Sequence, residues 1–183
     1  MPVGLRQERR YGLDMANDTH DFRTGSDSRT LRDALGCFGT GVTVVTTLDR
    51  DDQPVGLTAN SFTAVSLDPE LLLVCLSRQS QTLPWFQRAE AFAVNVLHIG
   101  QQDVAQLFAT PGADRFEKTE WQSWSTGVPI LGDSLANFEC AKFAEYDGGD
   151  HIILLGRIIR VRYDAEQDPL LYFRGSYREL HFD

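Results

Sequence analysis

The chain has 183 residues, 42% of them hydrophobic, 10% aromatic and 23% charged, a balance that fits one globular domain and excludes a disordered or collagen-like chain. A domain of this length buries roughly 70% of the surface its unfolded chain exposes, so a core can form without disulfides or a structural metal. Seventeen Lys plus Arg against 26 Asp plus Glu leave a formal charge of −9, which works against nucleic acid or an anionic membrane as a partner.

Cys37, Cys75 and Cys140 are odd in number, widely spaced and without a CxxC pair, which suggests neither a disulfide framework nor a zinc knuckle and favours a reducing cytoplasm. The longest strongly apolar run, 71–76, falls far short of the roughly 20 residues that span a bilayer. No apolar stretch of signal-peptide type follows the N-terminal arginines. A cytoplasmic location is therefore expected.

Residues 1–28 are polar, mixed in charge and without helical or strand period, so a flexible extension is expected there, with the domain spanning 29–183. Met15 is an alternative start, because the residues before it add nothing a fold would use. Leu31, Ala34, Leu35 and Phe38 follow the i, i+3, i+4, i+7 pattern, predicting a one-face helix with Asp27 or Ser28 as N-cap and Gly39 and Gly41 as its stop. Residues 42–48 are dominated by β-branched side chains, 49–53 make a polar turn and 55–66 read as extended again, which predicts a hairpin. After a turn at 67–69, the near-continuous apolar strand 70–77 is expected to be covered on both faces. Ser80 or Thr82 followed by Pro84 predicts a short helix to about residue 88, then a strand over 92–97 and a second short helix over 101–109.

The segment 110–133 carries Pro111, Gly112, Gly127, Pro129 and Gly132 with Trp121 and Trp124, which predicts a long irregular connection anchored by aromatics. Alternation then predicts a half-buried strand over 136–146, a turn at 147–150 and the longest strand over 152–163, whose later half sets Ile159, Val161 and Tyr163 against Arg160 and Arg162. A last short strand at 170–173 precedes the basic tail RGSYREL. Hairpins outnumber helical crossovers, so the fold class is mainly β, a closed or nearly closed antiparallel barrel with a few short helices.

Several chemistries lack their motifs: no GxGxxG follows a strand, and GxxxxGK[ST], HExxH and GxSxG are absent. Four histidines, His20, His98, His151 and His181, leave almost none to spare for a three-histidine metal site, so no metal is expected. In GLTANSFTAVSLDP, 56–69, the small or polar residues Thr58, Ala59, Asn60 and Ser61 keep the backbone open to a flat ring and offer donors to its carbonyls and nitrogens. A twisted edge strand with outward polar residues explains them equally. Ser77, Arg78, Ser80 and Thr82 lie between a strand and a helix N-terminus, a place that suits phosphate, although capping alone accounts for Ser80 or Thr82. From spacing, Gly149, Asp150 and His151 are turn residues and a strand start, while Arg174, Gly175, Tyr177 and Arg178 form a solvated basic end.

FGTGVTVVTT (38–47), GLTANSFTAVSLDPELL (56–72), FAVNVL (92–97), GDH (149–151) and YFRGSYREL (172–180), in this order, resemble the flavin reductase family of the FMN-binding split-barrel fold, the reductase components of two-component flavin monooxygenases. The resemblance implies a six-stranded antiparallel Greek-key barrel, normally a homodimer with flavin sites near the subunit interface. It implies reduction of FMN or FAD by NADH or NADPH and delivery of reduced flavin to a partner monooxygenase. By the same resemblance the isoalloxazine lies along Thr58, Ala59, Asn60 and Ser61, and the flavin phosphate meets Ser77, Arg78, Ser80 and Thr82. Gly149, Asp150 and His151 serve the nicotinamide, His151 as its positioning residue, with Arg174 and Tyr177 closing that side. Phe108 and Phe116 stand for ring-side or adenine-side aromatics, in a loop that departs from the family's shorter, glycine-containing pattern. The chemistry is consistent with the missing motifs, since hydride transfer needs two stacked rings and no nucleophile or metal. The alternatives are a pyridoxamine-phosphate-oxidase-like enzyme, which would call for a richer basic cage, and a flavin- or haem-binding protein without turnover.

Overall fold

The structure, a computed structural model, describes residues 27–180. Most of the expected extension 1–28, with Met15 and His20, lies outside the described residues, as does His181. The chain divides into two units, Met1–Leu35 and Gly36–Asp183. In the first, helix α1 (Ser28–Leu35) starts where expected because Asp27 caps it. Its carboxylate accepts from the N–H groups of Arg29 and Thr30, each at 3.2 Å, and from the Thr30 hydroxyl, satisfying donors that a helix start leaves orphaned. The helix stops at Leu35, before Phe38 can complete the predicted stripe.

The second unit runs β1 (Thr40–Gly41), β2 (Thr43–Leu48), β3 (Pro54–Ala59), β4 (Thr63–Leu67), β5 (Glu70–Ser77), α2 (Leu83–Arg88), β6 (Ala91–Val96), a 3-10 turn (Ile99–Gln101), α3 (Gln102–Ala109), β7 (Trp121–Ser123), β8 (Pro129–Leu131), β9 (Ala136–Gly148), β10 (His151–Tyr163), β11 (Leu171–Phe173) and β12 (Ser176–Arg178). Seven strands form one antiparallel sheet in the order β3-β2-β6-β9-β10-β5-β4. Its inner face packs Leu72, Val74, Leu76, Phe92, Val94, Cys140 and Leu154 into one cluster with Phe86 of α2. A second cluster seats α3 through Ala105 and Phe108 against Val42, Val44, Leu97 and Leu170. Each large apolar side chain so buried contributes about 1.5–3 kcal/mol.

The edge strands β3 and β4 are consecutive parts of one segment, 54–67. Pairing with β2 ends at Thr43↔Ala59, and pairing with β5 begins at Thr63↔Leu73. Between them Ser61 bridges the gap: its hydroxyl accepts from the Cys75 N–H and donates to the Cys75 carbonyl, both at 2.9 Å. The sheet thereby curls on itself, and counting 54–67 as one stave gives the expected six-stranded Greek-key barrel. The continuous strand predicted over 55–66 is broken because the chain changes neighbours inside it.

Three other expectations change. Leu72, Val74 and Leu76 of β5 are at most 1% exposed, but Leu73, Cys75 and Ser77 on the other face are only half-buried, so that face is not fully covered by core. The connection 110–133 contains the small hairpin β7–β8, and Glu139 anchors its turn by accepting from the Ser125 hydroxyl and from the N–H and hydroxyl of Thr126. The basic tail is a hairpin, β11–β12, turned by Arg174 at φ +49° and Gly175 at φ +77°. No helix among the described residues is long and apolar enough to cross a membrane.

Candidate functional site

The change of neighbours at 60–62 opens a cavity of about 640 Å³ between the end of β3, the outer half of β5, the loop 79–82, the end of α3 and the loop 111–115. That lies inside the range of about 300–1,000 Å³ that holds drug-sized ligands. Register explains which side chains face it. His151 pairs with Ser77, and directly opposed residues on antiparallel strands share a face, so both line the cavity with Cys75 two residues away.

Of the expected ring contacts, Thr58, Ala59, Asn60 and Ser61 all line the cavity. Two of the hydroxyls already serve the fold: Thr58 donates to the Ala105 carbonyl at 2.7 Å, and Ser61 holds Cys75. A serine hydroxyl has one proton to give, so Ser61 has no donor left for a ligand. The polar groups remaining on this wall are the backbone and the exposed Asn60 amide.

Of the expected phosphate contacts, Ser77, Ser80 and Thr82 line the cavity, and the Ser80 and Thr82 hydroxyls lie 2.9 Å apart. Arg78 does not line it. Its Nε donates to the Gly149 carbonyl at 2.8 Å, its guanidinium pairs with Asp147 at 3.1 Å, and its backbone N–H donates to the Asp150 carbonyl. The guanidinium is engaged because β5 and β10 pair up to His151↔Ser77, which brings the 147–150 turn against it. The Gly149 N–H and Arg78 together hold the Asp147 carboxyl below the usual range.

Gly149, at φ +78°, makes the turn possible, and His151 emerges from it into the cavity. Its Nδ1 lies 2.7 Å from an Asp150 oxygen, a contact that fixes the ring and lowers the Asp150 pKa. Gly149 and Asp150 themselves stay outside the cavity, as do Arg174 and Tyr177. Arg174 lies over the Phe173 ring at 5.0 Å, and Tyr177 packs edge-on to Tyr172. Burial raises the Tyr177 pKa, helped by Tyr172.

Phe108 lines the cavity, while Phe116 stands edge-on to it at 5.1 Å and lines a neighbouring cavity instead. The residue missed from sequence is Arg115, whose guanidinium donates to the carbonyls of Gly56 at 2.6 Å and Thr110 at 2.9 Å. Its only signal was a lone cation between a Pro-Gly turn and an aromatic in an irregular loop. Cys75 was also missed, and burial raises its pKa. No group of three or more His, Cys, Asp or Glu side chains is placed to hold a metal among the described residues.

Residues 35–181 match the family model described as flavin reductase like domain. The chain is 44% identical over 149 residues to the reductase component of the flavin-dependent trigonelline monooxygenase of Acinetobacter baylyi (strain ATCC 33305 / BD413 / ADP1), covering 81% of this chain and 48% of that protein. It is 40% identical over 165 residues to FMN reductase (NADH) SmoA of Agrobacterium fabrum (strain C58 / ATCC 33970), covering 90% of this chain and 93% of that one. Among solved structures, the NADH:FAD oxidoreductase SgcE6 of Streptomyces globisporus C-1027, in complex with NAD and FAD fragments, superposes with a TM-score of 0.84 at 36% identity, covering 90% of this chain and 99% of the other. The chain spans 48% of the length of two curated relatives it matches and 65% of a third. A barrel closed by its own edge segment, a cavity at the point of closure and a family match over most of the described residues agree: this chain belongs to the flavin reductase-like domain family.

Proposed function

We propose that the chain is an NAD(P)H:flavin oxidoreductase that reduces FMN or FAD and passes the reduced flavin to a separate monooxygenase. The observation that carries the reading is the cavity at the barrel's closure, with small residues at 58–61 on one wall and His151 facing it from β10. The residues fit a flavin: side chains at 58–61 are short enough for the backbone to approach a flat ring, and the Ser77, Ser80 and Thr82 hydroxyls gather at one end for a phosphate. Bound there, a flavin supplies the hydride acceptor. The chain's part is placement. Asn60 and the strand backbone orient the ring, while Asp150 holds the His151 imidazole in one orientation toward the nicotinamide. Arg78 contributes by bracing the turn that carries His151.

Relatives named as reductase components of flavin-dependent monooxygenases support the oxygenase partner. Exposed apolar side chains on β4 and β10, with Val161 at 56% and Tyr163 at 73% exposure, are surface that a second copy in a homodimer would cover. A cytoplasmic site of action fits both the nicotinamide donor and the thiols of Cys75 and Cys140.

The test is to mix purified protein with NADH or NADPH, with and without FMN or FAD, and follow oxidation of the nicotinamide. Oxidation that requires added flavin is the expected result. Flavin that binds but stays oxidised would favour a binding protein without turnover.

A further inference from the structure

The cavity shares part of its wall with a second one. Thr82, Ala113 and Arg115 also line a second cavity of about 570 Å³ whose wall includes Phe116 and Trp121. Those two rings meet edge-on at 6.0 Å, and Trp121 is 40% exposed, so the second cavity has an aromatic wall open to a ligand. Thr82, one of the hydroxyls gathered at the phosphate end of the first cavity, thus stands at the junction.

Arg115 stands at the same junction. Two neutral carbonyls hold it, its Nε is buried without a hydrogen-bond partner, and it forms no ion pair with a carboxylate among the described residues. A guanidinium drawn partly out of water without a counter-ion carries a desolvation cost that an anion would offset, and its planar fork suits phosphate oxygens. Burial lowers its pKa, in keeping with a cation lacking its partner.

We propose that Arg115 receives the pyrophosphate of a dinucleotide whose ring half fills the first cavity and whose adenosine half lies along Phe116 and Trp121, so that the chain selects FAD over FMN. This rests on the first cavity being the flavin site. The sequence of groups follows a dinucleotide in order: ring wall at 58–61, hydroxyls at Ser80 and Thr82, cation at Arg115, aromatic wall beyond.

Calorimetric titration of riboflavin, FMN and FAD into the wild-type protein, Arg115→Met, Arg115→Lys and Trp121→Ala tests it. Wild type is expected to bind FAD at least tenfold more tightly than FMN. Arg115→Met removes that advantage and leaves riboflavin within threefold, Arg115→Lys keeps only part of it, and Trp121→Ala weakens FAD but not FMN. Equal FAD and FMN affinities in wild type, with riboflavin still bound, would overturn the dinucleotide assignment and leave the flavin reading standing. Failure of all three to bind would overturn both. Should Arg115→Met lose its fold, because the guanidinium braces Gly56 and Thr110, Trp121→Ala decides: a reduced FAD advantage supports the proposal and an unchanged one refutes it.

Discussion

Replacing Ser61 by Ala removes the single hydroxyl that ties the two edges of the sheet together. Both of its hydrogen bonds go to the backbone of Cys75, each at 2.9 Å, on the side of β5 where pairing with β4 has already ended at Thr63↔Leu73. Two such bonds contribute together about 1–3 kcal/mol, and because Cys75 is half-buried, water recovers part of the loss, leaving about 1–2 kcal/mol. For a chain of this length each kcal/mol lowers the melting temperature by about 2–4 °C, so the expected fall is roughly 2–8 °C. Differential scanning fluorimetry of the ligand-free protein measures this without reference to flavin. Asn60→Ala is the matched comparison: its melting temperature should stay near wild type while flavin binding weakens by about 0.5–1.5 kcal/mol. A Ser61→Ala protein that melts like wild type and yet loses flavin would refute the reasoning, because the hydroxyl would then serve the ligand and not the closure.

Gly156→Ala should destabilise by about 1–3 kcal/mol, since a Cβ there would lie 2.5 Å from Phe92 Cζ and 2.9 Å from Cys140 Cβ in the packed core; an unchanged urea midpoint would show that the core yields. For Glu139, burial pushes the carboxyl pKa up, but hydrogen bonds from Ser125 and Thr126 and the nearby charge of Arg160 bring it below the usual value. A lowered folded pKa stabilises fully above the ordinary carboxylate range, and that contribution is lost as pH falls through the folded value. Glu139→Gln should therefore be less stable at neutral pH and lose less on acidification, and parallel stability curves in urea titrations across pH would contradict this. His151→Ala should raise the Michaelis constant for the nicotinamide or slow single-turnover flavin reduction, with flavin affinity kept within about threefold, or 0.7 kcal/mol; lost flavin binding with normal nicotinamide kinetics would reverse the two assignments.

Local signals carried the strands well. β5 occupies 70–77 as its apolar run predicted, and Asp27 caps α1 because capping depends only on nearby residues. Long-range pairing was out of reach. Arg78 sits where sequence spacing suggested a phosphate, but its partners Asp147 and Gly149 are about seventy residues away and arrive only when β10 pairs with β5. The tail hairpin was out of reach as well: spacing gave a solvated basic end after 173, and the three-residue β12 is too short to signal a strand, although Arg174 and Gly175 both adopt positive φ to turn into it. Within the site, the stretch 58–61 was legible by its small side chains. Which of its hydroxyls were already committed to Ala105 and Cys75 depends on neighbours that only the closed barrel supplies.

That both sheet edges come from one segment also bears on self-association. An open sheet ordinarily guards two independent rows of unpaired backbone groups against pairing with other chains. Here β3 and β4 are joined end to end through 60–62, where Ser61 holds Cys75, and Arg115 occupies the Gly56 carbonyl of β3, so local opening at Ser61 would loosen both edges together. Protection against edge-to-edge aggregation is then cooperative: variants loosened at this one point should begin to aggregate while most of the sheet is still folded.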